Sequence, residues 1–276
     1  MSRGSSASAP IVAVRSGRQQ QRPDRLATEE PLEIRVAGPG QEPVSASVTM
    51  RTPGHDFELA AGFLFAEGLI GAHDVRAIRH CGDARNGHRR DNVVTVDLRR
   101  PVDPAAFTRR FAATAACGVC GKATLDDLAV RCEPVGAGPT IPASRLPALG
   151  DRLRARQSVF DRTGGLHAAG LFDAGADLLV AREDIGRHNA VDKIIGHALL
   201  EDGLPLADRI LMVSGRLGYE ITQKAAAAAI PVVAAVSAPS TLAVDTAERF
   251  GITLVGFLRG DNFNVYSHPE RLLFDS

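Results

Sequence analysis

The chain has 276 residues, 45% of them hydrophobic, and its 32 basic residues balance 32 acidic ones. That length supports one large domain or two small ones with a real core. The neutral balance excludes a general attraction to nucleic acid or to an anionic membrane surface. No apolar run approaches the ~20 residues that span a bilayer, so no membrane association is expected. Four cysteines (Cys81, Cys117, Cys120 and Cys132) are too few to staple a chain of this size. A cytoplasmic protein with reduced thiols is the expectation.

Residues 1–22 are rich in Ser, Arg and Gln with one brief apolar patch, and a disordered tail over 1–28 is expected. Residues 32–36 and 44–50 alternate apolar and polar side chains around Gly38, Pro39 and Gly40, which predicts a hairpin. Pro53 opens a helix through about Glu67, with Asp56 and Glu58 near its first turn. Residues 92–98 read as a strand and 104–113 as a helix. The run Cys117-Gly118-Val119-Cys120-Gly121 follows; its glycines make poor helix, so it is placed on a loop. The turn-rich stretch 136–142 is the candidate boundary between a smaller α+β part, 29–138, and an α/β part, 139–276.

The second part is more regular. A helix is expected over 144–160, strands over 166–172 and 178–181, and a strongly periodic helix beginning near Asn189. Strands over 210–213, 232–236 and 252–258 alternate with helices over 219–229 and 241–250. That order predicts a parallel β–α–β–α–β unit with right-handed crossovers inside a mixed sheet.

Ligands of open α/β sheets bind at the carboxyl edge of parallel strands, where helix N-termini present free N–H groups. The crossover turns there are Ser214-Gly215-Arg216 and Ser237-Ala238-Pro239-Ser240. Their small residues let a phosphate approach, and Arg216 adds a charge. Ser and Thr are also ordinary helix caps, and the sequence leaves both roles open. Arg259-Gly260-Asp261-Asn262 follows the last parallel strand and suits either a guanine-like base or a hairpin into 263–266. Two more segments carry function-capable groups, Thr163-Gly164-Gly165-Leu166-His167 and the run 182–189 from Arg182 to Asn189, but the sequence assigns them no role.

The cysteine pair is half of a zinc or iron–sulfur ligand set, and Cys81 and Cys132 stand alone, so no structural metal is expected. A thioredoxin-type pair opens a helix after a strand. This pair instead follows a helix, on a glycine-flanked loop suited to a thiol that visits two partners.

Five segments in order carry a resemblance. They are Cys-Gly-Val-Cys-Gly at 117–121, Thr-Gly-Gly-Leu-His-Ala-Ala at 163–169, Arg-Glu-Asp-Ile-Gly-Arg-His-Asn-Ala-Val-Asp-Lys at 182–193, Ser-Gly-Arg at 214–216 and Tyr-Ser-His-Pro-Glu-Arg-Leu at 266–272. Together they resemble the FdhD family, the formate dehydrogenase accessory proteins, over roughly residue 30 to the C-terminus. The resemblance implies a sulfur carrier. A cysteine desulfurase loads a persulfide, and the sulfur passes to the molybdenum cofactor, Mo-bis(molybdopterin guanine dinucleotide), of formate dehydrogenase. It implies Cys117 as the carrier and Cys120 as its partner. It places cofactor binding on Phe257, Leu258, Arg259, Gly260, Asp261 and Asn262, and it implies a cytidine deaminase-like fold and a homodimer.

Two rivals differ in chemistry. A zinc deaminase needs His-x-Glu followed by Pro-Cys-x-x-Cys. Here Cys-x-x-Cys precedes His167, residue 169 is Ala169, and Ala116 rather than proline precedes Cys117. A cofactor-binding chaperone without sulfur transfer is the other, and alanine at Cys117 separates it from a carrier.

Overall fold

The computed structural model describes residues 4–82, 89–103 and 132–274. The helix expected over 104–113 and the pair Cys117 and Cys120 lie outside these residues.

The chain begins with a correction. In place of a disordered tail, β1 (Ser6–Arg15) and β2 (Arg18–Ala27) form an antiparallel ribbon paired along their whole length. Ser16 and Gly17, with φ of 48° and 76°, make the turn. Two left-handed residues in a row are what a tight hairpin needs, because such turns match the twist of the strands. The polar composition hid an alternation of Ala7, Ala9, Ile11 and Ala13 that local pairing exploits.

A four-stranded sheet follows, ordered β4 (Val44–Arg51), β3 (Glu30–Ala37), β6 (Arg89–Leu98) and β5 (Val75–Gly82). The expected hairpin is β3–β4, and β3 pairs with β6 in parallel. Leu32, Ile34, Val94 and Val96 point to one face, where α1 (Asp56–Ala66) covers them with Leu59 and Leu64. The edge strand β5 has no counterpart in the sequence reading, because its arginines interrupt the apolar pattern. Arg79 is held by Asp97 of β6 at 3.0 Å.

Beyond 140 come the short β7 (Ile141–Pro142), α2 (Pro147–Arg154) and α3 (Ser158–Thr163). The single helix expected over 144–160 is therefore two. Gln157 leaves the helical region with ψ of 62°. The chain restarts where the Glu183 carboxylate accepts from the Val159 and Phe160 N–H groups at 3.0 and 2.8 Å. A carboxylate from a distant strand thus takes donors that a continuous helix would have spent internally.

The larger sheet contains β8 (His167–Phe172), β9 (Leu178–Asp184), β10 (Ile210–Val213), β11 (Val232–Ala235), β12 (Thr253–Arg259) and β13 (Asn262–Ser267). Its order is β13-β12-β11-β10-β8-β9. Only β10, β11 and β12 run parallel; β8, β9 and β13 are antiparallel to their neighbours. The short strand β14 (Leu272–Leu273) pairs with β7. Helices α4 (Arg187–Leu200), α5 (Tyr219–Ala227) and α6 (Thr241–Phe250) complete the unit. Leu211, Val213 and Val233 face the apolar cluster that contains Ile194 and Ile221, while Met212 and Val232 face Leu146, Leu149 and Leu153. No helix among the described residues is long and apolar enough to cross a membrane.

The segments on either side of the expected boundary meet face to face. Helices α1 and α4 cross at Gly62 and Gly196, so closely that a Cβ on Gly62 would collide with the Asp192 carbonyl oxygen and one on Gly196 with that of Glu58. Beside the crossing, Arg182 of β9 grips Glu58 at 2.5 and 2.6 Å. Burial alone would push the Glu58 carboxyl up, but hydrogen bonds from Arg182 and His55 hold it at about 2. A lowered carboxylate contributes stability above its unfolded value of 4.5, and that contribution is lost as pH falls through about 2. Glu58→Gln is therefore expected to lower the melting temperature at pH 7, with the gap to wild type closing between about pH 4.5 and pH 2. Thermal melts across that window check it; a gap independent of pH refutes it.

Candidate functional site

The parallel order β10-β11-β12 carries the three expected turns to one sheet edge. Topology then adds residues that are distant in sequence. Strand β8 runs against β10, with Ala169 opposite Val213, so its first residue, His167, stands at the same edge. Strand β9 returns, with Asp184 opposite His167, and feeds α4 through Gly186 into Arg187 and His188. The N-termini of α4, α5 and α6 all follow strands that end at this edge.

The turns bind one another. Leu217 N–H donates to the Ala238 carbonyl at 3.1 Å, and Ser240 N–H donates to the Leu217 carbonyl at 2.9 Å. Ser240 caps α6, its hydroxyl accepting from Ala243 N–H at 3.2 Å. Ser214 does not cap α5, whose N-cap is Gly218. Its hydroxyl instead accepts from Ala168 N–H at 2.8 Å, tying the turn to β8. The Ser237 carbonyl accepts from Phe257 N–H at 3.2 Å. Of the serines expected at these turns, Ser214 and Ser240 thus accept backbone donors with their hydroxyls. Gly215 is buried between neighbours and Arg216 is exposed.

The last strand supplies an aromatic and a charged tip. A bulge between Gly256 and Arg259 puts Phe257 at φ 54° and leaves its ring exposed at the edge. A non-glycine residue with positive φ persists only where its surroundings impose it, and such residues concentrate at functional sites. Leu258 is buried in the core, so it anchors the strand rather than presenting itself to a ligand. Arg259 donates to the Val236 carbonyl at 3.1 Å. Arg259 pairs with Asn262, which makes Gly260 and Asp261 a two-residue turn, and both side chains of Asp261 and Asn262 are exposed.

Next to these turns lies a group that the sequence reading left without a role. A Cβ on Gly215 would stand 3.4 Å from His167 Nδ1 and 3.6 Å from Arg187 Cδ, so the glycine packs against both side chains. His188 Nε2 lies 2.9 Å from the Glu220 carboxylate, and that close contact is the main reason the Glu220 carboxyl falls below its usual range. Burial pushes the His167 imidazole down, and the charges of Arg187 and His188 push it further. Under the group, Asp184 accepts from Gly186 N–H and Asn189 Nδ2 on one oxygen and pairs with Lys193 at 2.7 Å on the other. The signal for these residues was present as motifs at 163–169 and 182–193; what sequence lacks is the strand direction that brings them together.

The chain is an α/β protein whose parallel strands end at a polar, helix-lined edge, the place where open α/β sheets in general take up anionic ligands. The FdhD/NarQ family model matches residues 27–273, and the chain belongs to that family. It is 50% identical over 268 residues to the "Sulfur carrier protein FdhD" of Mycolicibacterium paratuberculosis, covering 95% of this chain and 97% of that protein. Identity to the protein of the same name in Mycobacterium tuberculosis is 53% over 261 residues, 91% of this chain and 92% of the other. A crystal structure of a candidate formate dehydrogenase accessory protein from Desulfotalea psychrophila superposes with a TM-score of 0.75 at 27% identity, covering 97% of this chain and 99% of that one.

Proposed function

We propose that the protein is a sulfur carrier: it takes a persulfide sulfur from a cysteine desulfurase and passes it to the molybdenum cofactor, Mo-bis(molybdopterin guanine dinucleotide), before that cofactor enters formate dehydrogenase. The observation that carries this reading is a Cys-x-x-Cys pair in a chain about half identical, nearly end to end, to proteins named sulfur carriers. The Cys117 thiolate attacks the terminal sulfur of the desulfurase persulfide, the donor S–S bond breaks, and the donor cysteine leaves as a thiolate. Cys117 then holds the persulfide, with Cys120 three residues further along the chain. The cofactor is the substrate of the second transfer. In this reading the protein is a cytoplasmic homodimer and shares the cytidine deaminase sheet arrangement without deaminase chemistry.

The sheet edge suits the guanine nucleotide arms of that substrate. Phe257 offers an exposed ring for stacking, Asp261 a carboxylate for guanine's N–H groups, and Arg216 and Arg259 positive charge. Purified protein incubated with a desulfurase and cysteine is expected to gain one sulfur on the peptide containing Cys117, removable by a thiol reductant. A wild-type protein that gains none refutes the carrier reading.

The base-reading role has its own test. GDP is expected to bind better than ADP, because adenine lacks the adjacent donors that a carboxylate accepts. A hydrogen bond to a charged group is worth roughly 1.5–3 kcal/mol, so Asp261→Ala should weaken GDP about ten-fold or more. Calorimetric titration decides it; equal affinities for GDP and ADP, or normal GDP binding by the variant, remove the role.

A further inference from the structure

We propose that Arg187, His188 and His167, gathered around Gly215, form a subsite for a phosphoryl or diphosphate group at the sheet edge. The assignment deepens the carrier reading and rests on it for the biological source of the ligand, since the guanine nucleotide arms of the client cofactor carry diphosphates.

The case is one of clustered basic side chains and an idle donor. Three side chains that carry or can gain positive charge come from two elements, His167 from β8 and Arg187 and His188 from α4. Glu220 of α5 lies closest to His188 and acts on Arg187 only through its charge at longer range. The side-chain Nε of Arg187 is buried without a hydrogen-bond partner. A buried donor left unmade costs free energy that an arriving oxygen acceptor would recover. The guanidinium fork matches phosphate oxygens in pairs. Gly215 lies against both His167 and Arg187, a Cβ there meeting them at 3.4 and 3.6 Å, which places the two side chains beside one another. The first turn of α4, fourteen residues long and without a side-chain cap, adds N–H groups of the same sign. The serine hydroxyls at 214 and 240 accept backbone N–H bonds and keep their protons to donate, so they can supplement these basic side chains at a phosphate.

A second consequence follows from the groups around His167. Facing it are Asp184 from β9 and Arg187 and His188 from α4, with Glu220 from α5 behind His188. Burial first, then Arg187 and His188, outweigh Asp184 and favour the neutral imidazole. A bound dianion reverses the local sign and favours the charged ring, so binding takes up a proton.

Titration calorimetry of the full-length protein with pyrophosphate and with GDP at pH 7, each in two buffers of different ionisation enthalpy, tests both consequences. Arg187→Gln is expected to weaken binding at least ten-fold, with partial recovery in Arg187→Lys. The apparent enthalpy of wild type should change with buffer, and His167→Gln should remove that dependence. Loss for both ligands assigns the subsite to any diphosphate; binding and loss seen only with GDP assign it to a nucleotide-borne one. Unchanged affinity in folded Arg187→Gln and His188→Gln overturns the proposal, as does wild-type binding without proton uptake. Should Arg187→Gln fail to fold, Arg187→Lys and the wild-type buffer dependence still decide it. Persulfide loading of wild-type Cys117 is read separately by mass, so failure of the carrier reading and failure of the subsite give different results.

Discussion

Cys117→Ala protein is expected to accept no persulfide. Only a thiolate is nucleophilic enough to displace a cysteine from a persulfide donor, and alanine has nothing to offer in its place. After incubation with a desulfurase and cysteine, the intact mass of wild type should rise by about 32 Da, one sulfur atom, and fall back on reduction. The variant should show no rise. Cys120→Ala should load partially, since the attacking thiol remains while its neighbour is gone. In cells whose own copy is deleted, Cys117→Ala should leave formate dehydrogenase activity at background. Normal activity with that variant would instead make the protein a cofactor-binding chaperone, and a full mass gain in it would move the carrier role to another cysteine.

Asp184→Ala is expected to give the largest stability loss among the side chains beneath the site. Asp184 is fully buried and Lys193 is 1% exposed. One Asp184 oxygen takes Gly186 N–H at 2.8 Å and Asn189 Nδ2 at 2.9 Å. The other takes Thr52 N–H at 3.2 Å and the Lys193 ammonium at 2.7 Å. Lys193 also donates to the Thr52 carbonyl at 3.1 Å, so the pair sews the β4–α1 connection to α4. Removing one partner of a buried pair strands the other, at a cost of about 3–5 kcal/mol. For a chain of this size that lowers the melting temperature by roughly 6–20 °C. Asp184→Ala combined with Lys193→Met should recover part of the loss, because the stranded ammonium is removed. Calorimetric melts measure both; an unchanged transition in Asp184→Ala would show that the network contributes nothing net.

Sequence by itself determined the parallel unit and its edge. Apolar runs such as Ile210-Leu211-Met212-Val213 and Val232-Val233-Ala234-Ala235 can only be buried strands when short periodic helices separate them, and right-handed crossovers then align their carboxyl ends. The turns holding Ser214, Ser237 and Arg259 were placed correctly for that reason, and five ordered motifs were specific enough to indicate the family. Tertiary structure decided the rest. The N-terminal ribbon depends on cross-strand partners that composition does not reveal. The break between α2 and α3 depends on Glu183, which lies more than twenty residues further along the chain. The two halves join through Gly62 and Gly196, two unremarkable glycines until the helices cross. His167, Arg187 and His188 reach the same sheet edge as those turns only because β8 runs antiparallel to β10 and β9 to β8, and strand direction at that position is set by packing between elements, which local sequence does not encode.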